Sequence, residues 1–433
     1  MLRRKILERL IEWKNSPYRV ALLVKGARQV GKTTSVREFG RAHYDSFIEI
    51  NFEQSPLTRR AFDGNLDART IILNLSAMGY GPFIEGKTLV FFDEIQSCPN
   101  ARTAIKFLVE DGRFDYIESG SLLGLNNKDV SSYPVGFEEQ LAMFPLDFEE
   151  FLWAQRITQD VIDTTQNSYK NTKPVPDFLH EQLMKLYREY MIAGGMPGAV
   201  NAFLANDDFS QTLRVHRIIL GSYRDDIAKY AGKEKDKAKA VFDAIPEQLS
   251  KKNKRFILAS LEKGASNRKY EQATMWLHDA GIAYHCFNTT ALELPLSFSV
   301  KRNLYKLYML DTGLFCAMTM DGIQNAVLSG DIRINEGAVA ENTVAAELVK
   351  RSIPLYYYDK KSRMELDFVF QDRGGLSVIE VKSGNDYHRH AALDNAYADN
   401  PGVFNRRIVL CKGNIEMATN GTVYLPLYMT MFL

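Results

Sequence analysis

Residues Gly26, Ala27, Arg28, Gln29, Val30, Gly31, Lys32, Thr33 and Thr34 follow the apolar run ALLVK and precede a helical pattern, with G-x-x-x-x-G-K-[ST] satisfied at Gly26, Gly31, Lys32 and Thr33. Each part answers a need of a polyphosphate. The glycines let backbone N–H groups curl around phosphate oxygens, and the helix N-terminus adds partial positive charge. Lys32 would reach the terminal phosphates, and the Thr33 hydroxyl would sit on Mg2+. About sixty residues later TLVFFDEIQ ends an apolar strand on Asp93 and Glu94. An Asp there holds Mg2+ and a Glu polarises an attacking water, because phosphoryl transfer depends on positioning and charge. The next strand, FDYIESGS, brings Ser119, Gly120 and Ser121 to the same edge, where a hydroxyl, Ser119 first, would sense the terminal phosphate. No N-K-x-D guanine-reading motif is present, so the expected nucleotide is ATP, hydrolysed with Mg2+.

A second constellation lies in the last hundred residues. In LSVIEVKS, Glu380 and Lys382 are two apart and share one face of a strand, with Ile379 and Val381 on the other. The preceding strand MELDFVF puts Leu366, Phe368 and Phe370 on its apolar side and Glu365 and Asp367 opposite, so Asp367 is expected to meet Glu380 across the sheet. Asp367 and Glu380 would hold Mg2+ on a scissile phosphate, and Lys382 would lower the pKa of the attacking water or neutralise developing charge. Two plainer readings stand beside this one. Glu380 and Lys382 can form a surface ion pair, worth at most about 1 kcal/mol, or the fold can be kept for binding without cleavage.

The elements that must position these groups alternate. Apolar strand-like runs and helical patterns through the first 150 or so residues predict an open parallel α/β sheet. From Phe148 to about Met318 the pattern is mostly helical, with a polar loop over Gln166–Pro176. After Gly330–Asn335 come a helix, the strands PLYYYDKK, MELDFVFQ and LSVIEVKS, and a Gly374–Gly375 turn between the last two. The expected fold class is therefore multi-domain α/β, with a P-loop domain at 1–154, a helical region at 155–330 and a C-terminal α/β domain at 331–433. Aromatic residues at Tyr356–Tyr358 and in FPLDFEEFL are spaced as core. His388 and His390 read as solvated loop histidines.

Composition limits the function classes. The chain has 433 residues and a net charge of +1, so no overall field draws it to nucleic acid. Between Gly232 and Tyr270, however, eleven Lys or Arg stand against five Asp or Glu. With the helix-like NRKYEQATMWLHDAG and the wing-like PLSFSVKRNLYKLYML, this stretch suggests a winged helix along a phosphate backbone, with a lid or hinge as the alternative. The expected partner is nucleic acid, DNA before RNA. No apolar run is long enough to cross a bilayer and no signal-peptide pattern begins the chain, so no membrane and a cytoplasmic location are expected. Cys98, Cys286, Cys316 and Cys411 are far apart and form no zinc-ligand pattern.

GARQVGKTT, FFDEIQ, the SGS turn and FPLDFEEFL, followed in order by YMIAGGMPGAV, SYRDDIAKY and YKLYMLDTGLF, resemble AAA+ superfamily ATPases of bacteria and archaea that carry a C-terminal domain of unknown function. The resemblance spans nearly the whole chain. Where many members have an arginine after the glycine at Gly136, this chain has Phe137, which leaves the transition-state arginine open among Arg102, Arg113, Arg224, Arg302 or a residue of a second copy in a homo-oligomer. The acid followed by E-x-K on the next strand resembles the active site of the PD-(D/E)XK nuclease superfamily, with Leu366 in place of the motif's proline, and the resemblance implies a further metal-binding carboxylate at Glu341 in the preceding helix.

Overall fold

The computed structural model describes residues 2–121, 132–205, 209–320, 322–329, 336–360, 364–372 and 374–433. The chain divides into two compact units, one of Arg4–Phe144 with Asp279–Gly281 and a larger one of Met1–Arg3, Pro145–His278 and Ile282–Leu433. The expected boundary at residue 330 lies outside the described residues.

In the smaller unit five strands, β1 (Ala21–Gly26), β2 (Ser46–Asn51), β3 (Thr88–Asp93), β4 (Asp115–Ser121) and β5 (Glu138–Ala142), pair in the order β2-β3-β4-β1-β5. Every pairing is parallel, as the alternating pattern predicts. Helices Lys32–His43, Ala68–Ala77 and Pro99–Asp111 provide the crossovers. All six residues of β3 are buried, the signature of a central parallel strand covered on both faces. Phe52, Phe62, Phe92 and Tyr116 cluster in the core on one side. Because the strands are parallel, the ends of β1, β2, β3 and β4 share one edge.

The larger unit begins with helices Phe148–Ala154, Gln159–Lys170, Asp177–Ala193, Pro197–Ala205, Ser210–Tyr230, Lys235–Ser250 and Asn267–Asp279. The expected loop over Gln166–Pro176 is shorter than its composition suggests. Residues up to Lys170 finish a helix in which the Lys170 Nζ donates to Gln166 Oε1 at 2.9 Å, and the chain turns only afterwards, with Thr172 in the left-handed region at φ 51°. Phe148, Phe151 and Leu152 are fully buried, as their spacing predicts.

Eight strands follow: β6 (Ala283–Thr289), β7 (Val300–Met309), β8 (Tyr356–Asp359), β9 (Glu365–Asp372), β10 (Gly375–Val381), β11 (Phe404–Cys411), β12 (Glu416–Met417) and β13 (Thr422–Pro426). They form one sheet in the order β12-β13-β11-β10-β9-β8-β6-β7. The wing-like stretch, which contains β7, therefore does not stand apart. The antiparallel pair of β6 and β7 joins the sheet through parallel pairing of β6 with β8, so this sheet draws on residues from both sides of 330. Between β9 and β10 the turn carries Gly374 at φ 82°, a conformation glycine adopts without strain. Helix Glu336–Lys350, nearly all of it buried, packs against β7 and β10. Tyr357 and Tyr358 are core, and the four cysteines are buried and unpaired.

Candidate functional site

The P-loop is built by the turn from β1 into the Lys32–His43 helix. Gln29 and Gly31 both take positive φ, 64° and 101°, which curls the backbone amides inward. Gly26 admits no side chain, since a Cβ there would lie 2.2 Å from the Met143 carbonyl oxygen. Arg4, which no motif marks, braces the loop by donating to the Val30 carbonyl at 2.8 Å and the Phe144 carbonyl at 2.7 Å. Lys32 is buried, and its Nζ donates to the carbonyls of Gly26 and Ala27 at 3.0 and 2.9 Å. Burial, opposed by the nearby Glu94 and Asp93 carboxylates, pushes its ammonium down to about 8. An ammonium whose hydrogen bonds go to neutral carbonyls in a concave loop is a fitting partner for phosphate.

Asp93 closes β3 at 2% exposure and gathers its neighbours from three other elements. The Thr33 hydroxyl lies 3.1 Å from both Asp93 oxygens, Asn51 Nδ2 donates to Oδ2 at 2.8 Å, and the Ser119 hydroxyl donates to Oδ1. Thr33, Asp93 and Ser119 thus come together at one edge of the sheet. Asn51 belongs to none of those motifs, and its place as the last residue of β2, at the shared edge, is the one signal that could have found it. The hard oxygen donors of Thr33 and Asp93 suit Mg2+. Glu94 follows in the left-handed region at φ 54°, turning the chain sharply out of the strand, and its Oε2 accepts from Gln96 Nε2 at 2.5 Å.

Two of the four candidate arginines are placed away from this edge. Arg102 is buried and donates to Glu118 at 2.7 Å and to Glu138 at 3.0 Å. Arg113 bonds Asp111 at 2.7 Å and precedes the amino end of β4, whereas the P-loop faces the carboxyl ends. Arg224 pairs with Asp243 at 2.8 Å, and Arg302 lines a cavity of about 200 Å³ with His285, Phe287 and Tyr305, both within the larger unit.

The C-terminal constellation assembles in part. Antiparallel β9 and β10 place Phe368 opposite Ile379, so Asp367 and Glu380 come next to each other, and Asp367 Oδ2 accepts from the Val381 amide at 2.9 Å. Lys382 and Glu380 form an ion pair at 2.8 Å. Glu341 departs from its expected role as a metal ligand. Both its oxygens are engaged, one by Lys306 at 3.1 Å and the Tyr308 hydroxyl, the other by Lys254. Burial alone would raise its carboxyl, but the two lysines outweigh burial and hold it near 2. Burial and the neighbouring Glu341 and Glu380 push the Asp367 carboxyl up to about 8. Among the described residues no three His, Cys, Asp or Glu side chains converge as a metal site. Lys306, fully buried on β7, lies 2.7 Å from Glu365 and 3.9 Å from Asp367. No motif marks it, and a lone lysine inside LYKLYML is its only trace in the sequence.

A family model described as an AAA domain matches residues 18–152, the stretch that contains β1–β5 and the P-loop. This part of the chain is similar to AAA domains, and its parallel five-stranded sheet fits a P-loop ATPase core. Two further models, both for domains of unknown function, match residues 184–325 (DUF8612) and 336–430 (DUF4143), the latter spanning β8–β13. No curated protein matches the chain. Among solved structures, similarity is found to the Walker-type ATPase PABY2304 of Pyrococcus abyssi, at 15% identity and TM-score 0.46, over 73% of this chain and 96% of that one. The ORC1 protein of Aeropyrum pernix, solved in complex with DNA, gives 12% identity and TM-score 0.27 over 74% and 93%. The ORC2 protein of the same organism, in its ADP form, gives 14% and 0.29 over 75% and 93%.

Proposed function

We propose that the protein binds ATP with Mg2+ at its P-loop, hydrolyses it, and uses the nucleotide state to control a nuclease-like C-terminal region that engages nucleic acid, DNA before RNA. The observation that carries the catalytic part is the convergence of Thr33, Asn51 and Ser119 on Asp93 beside the P-loop lysine. Lys32 exchanges its two carbonyl partners for terminal phosphate oxygens. Thr33 and Asp93 hold the metal, which supplies charge neutralisation on the phosphates. Glu94, released from Gln96, orients the attacking water and accepts its proton. Ser119, touching Asp93, reports whether the terminal phosphate is present. Arg102 and Arg113 point elsewhere, which leaves Arg224, Arg302 or an arginine of a second copy as the transition-state arginine; of these we assign it to a second copy, which makes the active form a homo-oligomer. No helix among the described residues is long and apolar enough to cross a membrane, and none is required.

The adjacency of Asp367 and Glu380 supports the nuclease-like reading of the C-terminal region. A second reading, an ATP-driven switch with a catalytically inactive protein-interaction module, is favoured by the Glu380–Lys382 ion pair, which engages one Glu380 oxygen and the lysine of the E-x-K motif. Incubation of labelled DNA and RNA with Mg2+ or Mn2+, with and without ATP, separates them. Binding to nucleic acid supports the first, and its absence in every nucleotide state supports the second.

A further inference from the structure

The acid cluster on β9, β10 and the Glu336–Lys350 helix has an unusual occupant. Lys306 reaches it from β7 with no side-chain exposure, and its ammonium faces Glu341 at 3.1 Å, Glu365 at 2.7 Å and Asp367 at 3.9 Å. Burying a lysine costs several kcal/mol unless opposite charge and hydrogen bonds surround it, so these carboxylates and this lysine hold one another in place. Lys254 takes the other Glu341 oxygen and Lys382 pairs with Glu380. Four carboxyl groups, Glu341, Glu365, Asp367 and Glu380, thus stand against three ammonium groups, Lys254, Lys306 and Lys382, so that at most one negative charge is left uncompensated. A divalent ion added to this set would overcharge it.

We propose that the Lys306 ammonium is a built-in cation that takes the place of a divalent metal in this nuclease-like site, so that the module in its native form binds no metal there and does not cut. The inference rests on the nuclease-like reading of the module. The residue types present suit a metal, but the lysines among them do not. Glu341 has neither oxygen to spare, and an ion between Asp367 and Glu365 would meet Lys306 head on. The same cluster with Lys306 removed would set four carboxyl groups against two ammonium groups inside a largely buried site and would recruit a hard cation in compensation.

Mn2+ binding to the nucleotide-free full chain, followed by electron paramagnetic resonance, tests this. Wild type is expected to bind no Mn2+ that depends on Asp367. Lys306→Met is expected to gain one site, with affinity raised about a hundredfold or more, the scale set by deleting one adjacent charge from a site of intermediate dielectric. Adding Asp367→Asn should abolish the gained site, which separates it from any ion held at Asp93. A folded Lys306→Met that gains no site overturns the proposal. So does a wild-type chain whose Mn2+ binding is lost in Asp367→Asn, a result that needs no Lys306 variant to fold. Nucleic-acid binding measured on the same proteins reports separately on the nuclease-like reading, and its failure leaves the metal result unaltered.

Discussion

Lys32 carries two burdens at once, reaching for phosphate while its ammonium sits in a buried loop that pushes it down to about 8. Phosphate oxygens favour the charged form, so the nucleotide complex holds this proton more tightly than the free protein does. Binding therefore takes up a proton around pH 8 to 9, and affinity is fully present below about 8 and falls as pH rises through it, by up to about tenfold per pH unit. Calorimetric titration with ATP at about pH 8.5 in two buffers of different ionisation enthalpy should show net proton uptake in wild type and none in Lys32→Met. The absence of uptake in wild type would place Lys32's proton elsewhere. Glu94 belongs to the same scale, since its left-handed backbone and its bond to Gln96 hold the carboxylate ready without committing it to the metal.

At the scale of elements, the smaller unit depends on a buried ion-pair set that ties the Pro99–Asp111 helix to two strands. Arg102 joins Glu118 on β4 and Glu138 on β5, and burial pushes the Glu118 carboxyl up to about 8 even with Arg102 beside it. Arg102→Met leaves two buried acids facing each other, and a loss of about 3–5 kcal/mol is expected in urea unfolding monitored on this unit. A variant that keeps full stability and loses only ATP turnover would instead make Arg102 a catalytic residue. The parallel sheet and its site were legible because their signals are local: an apolar strand, a glycine turn, a second strand ending in acids. Asp367 and Glu380 were legible for the same reason, through period-two alternation. Lys306 and Asn51 were not, because their roles depend on which strands become neighbours. Nothing in YKLYML says that β7 and β6 join β8 at residue 356, far along the chain, and that pairing is what brings Lys306 to Glu341 and Asp367.

Across the whole molecule, a net charge of +1 leaves any nucleic-acid binding to local charge, concentrated between Gly232 and Tyr270. The structure reduces that reserve. Lys254 is spent on Glu341, and Lys251 pairs with Glu247 at 2.8 Å on the surface, so of the Lys251–Arg255 cluster Lys252 and Arg255, with the surface-held Lys251, are left to meet phosphate. Replacing Lys251, Lys252 and Arg255 by Glu should weaken DNA binding across sequences and reduce the slope of log affinity against log salt by roughly one unit for each phosphate no longer neutralised. An unchanged slope in fluorescence anisotropy would move the nucleic-acid surface to another part of the molecule. The central claim, that the P-loop unit hydrolyses ATP with Mg2+, is tested most directly by steady-state phosphate release from wild type, Lys32→Ala and Glu94→Gln, with nucleotide binding measured alongside. The account predicts Mg2+-dependent turnover in wild type, loss of binding in Lys32→Ala, and retained binding with turnover reduced by about a hundredfold or more in Glu94→Gln. Turnover that survives Lys32→Ala unchanged would contradict it.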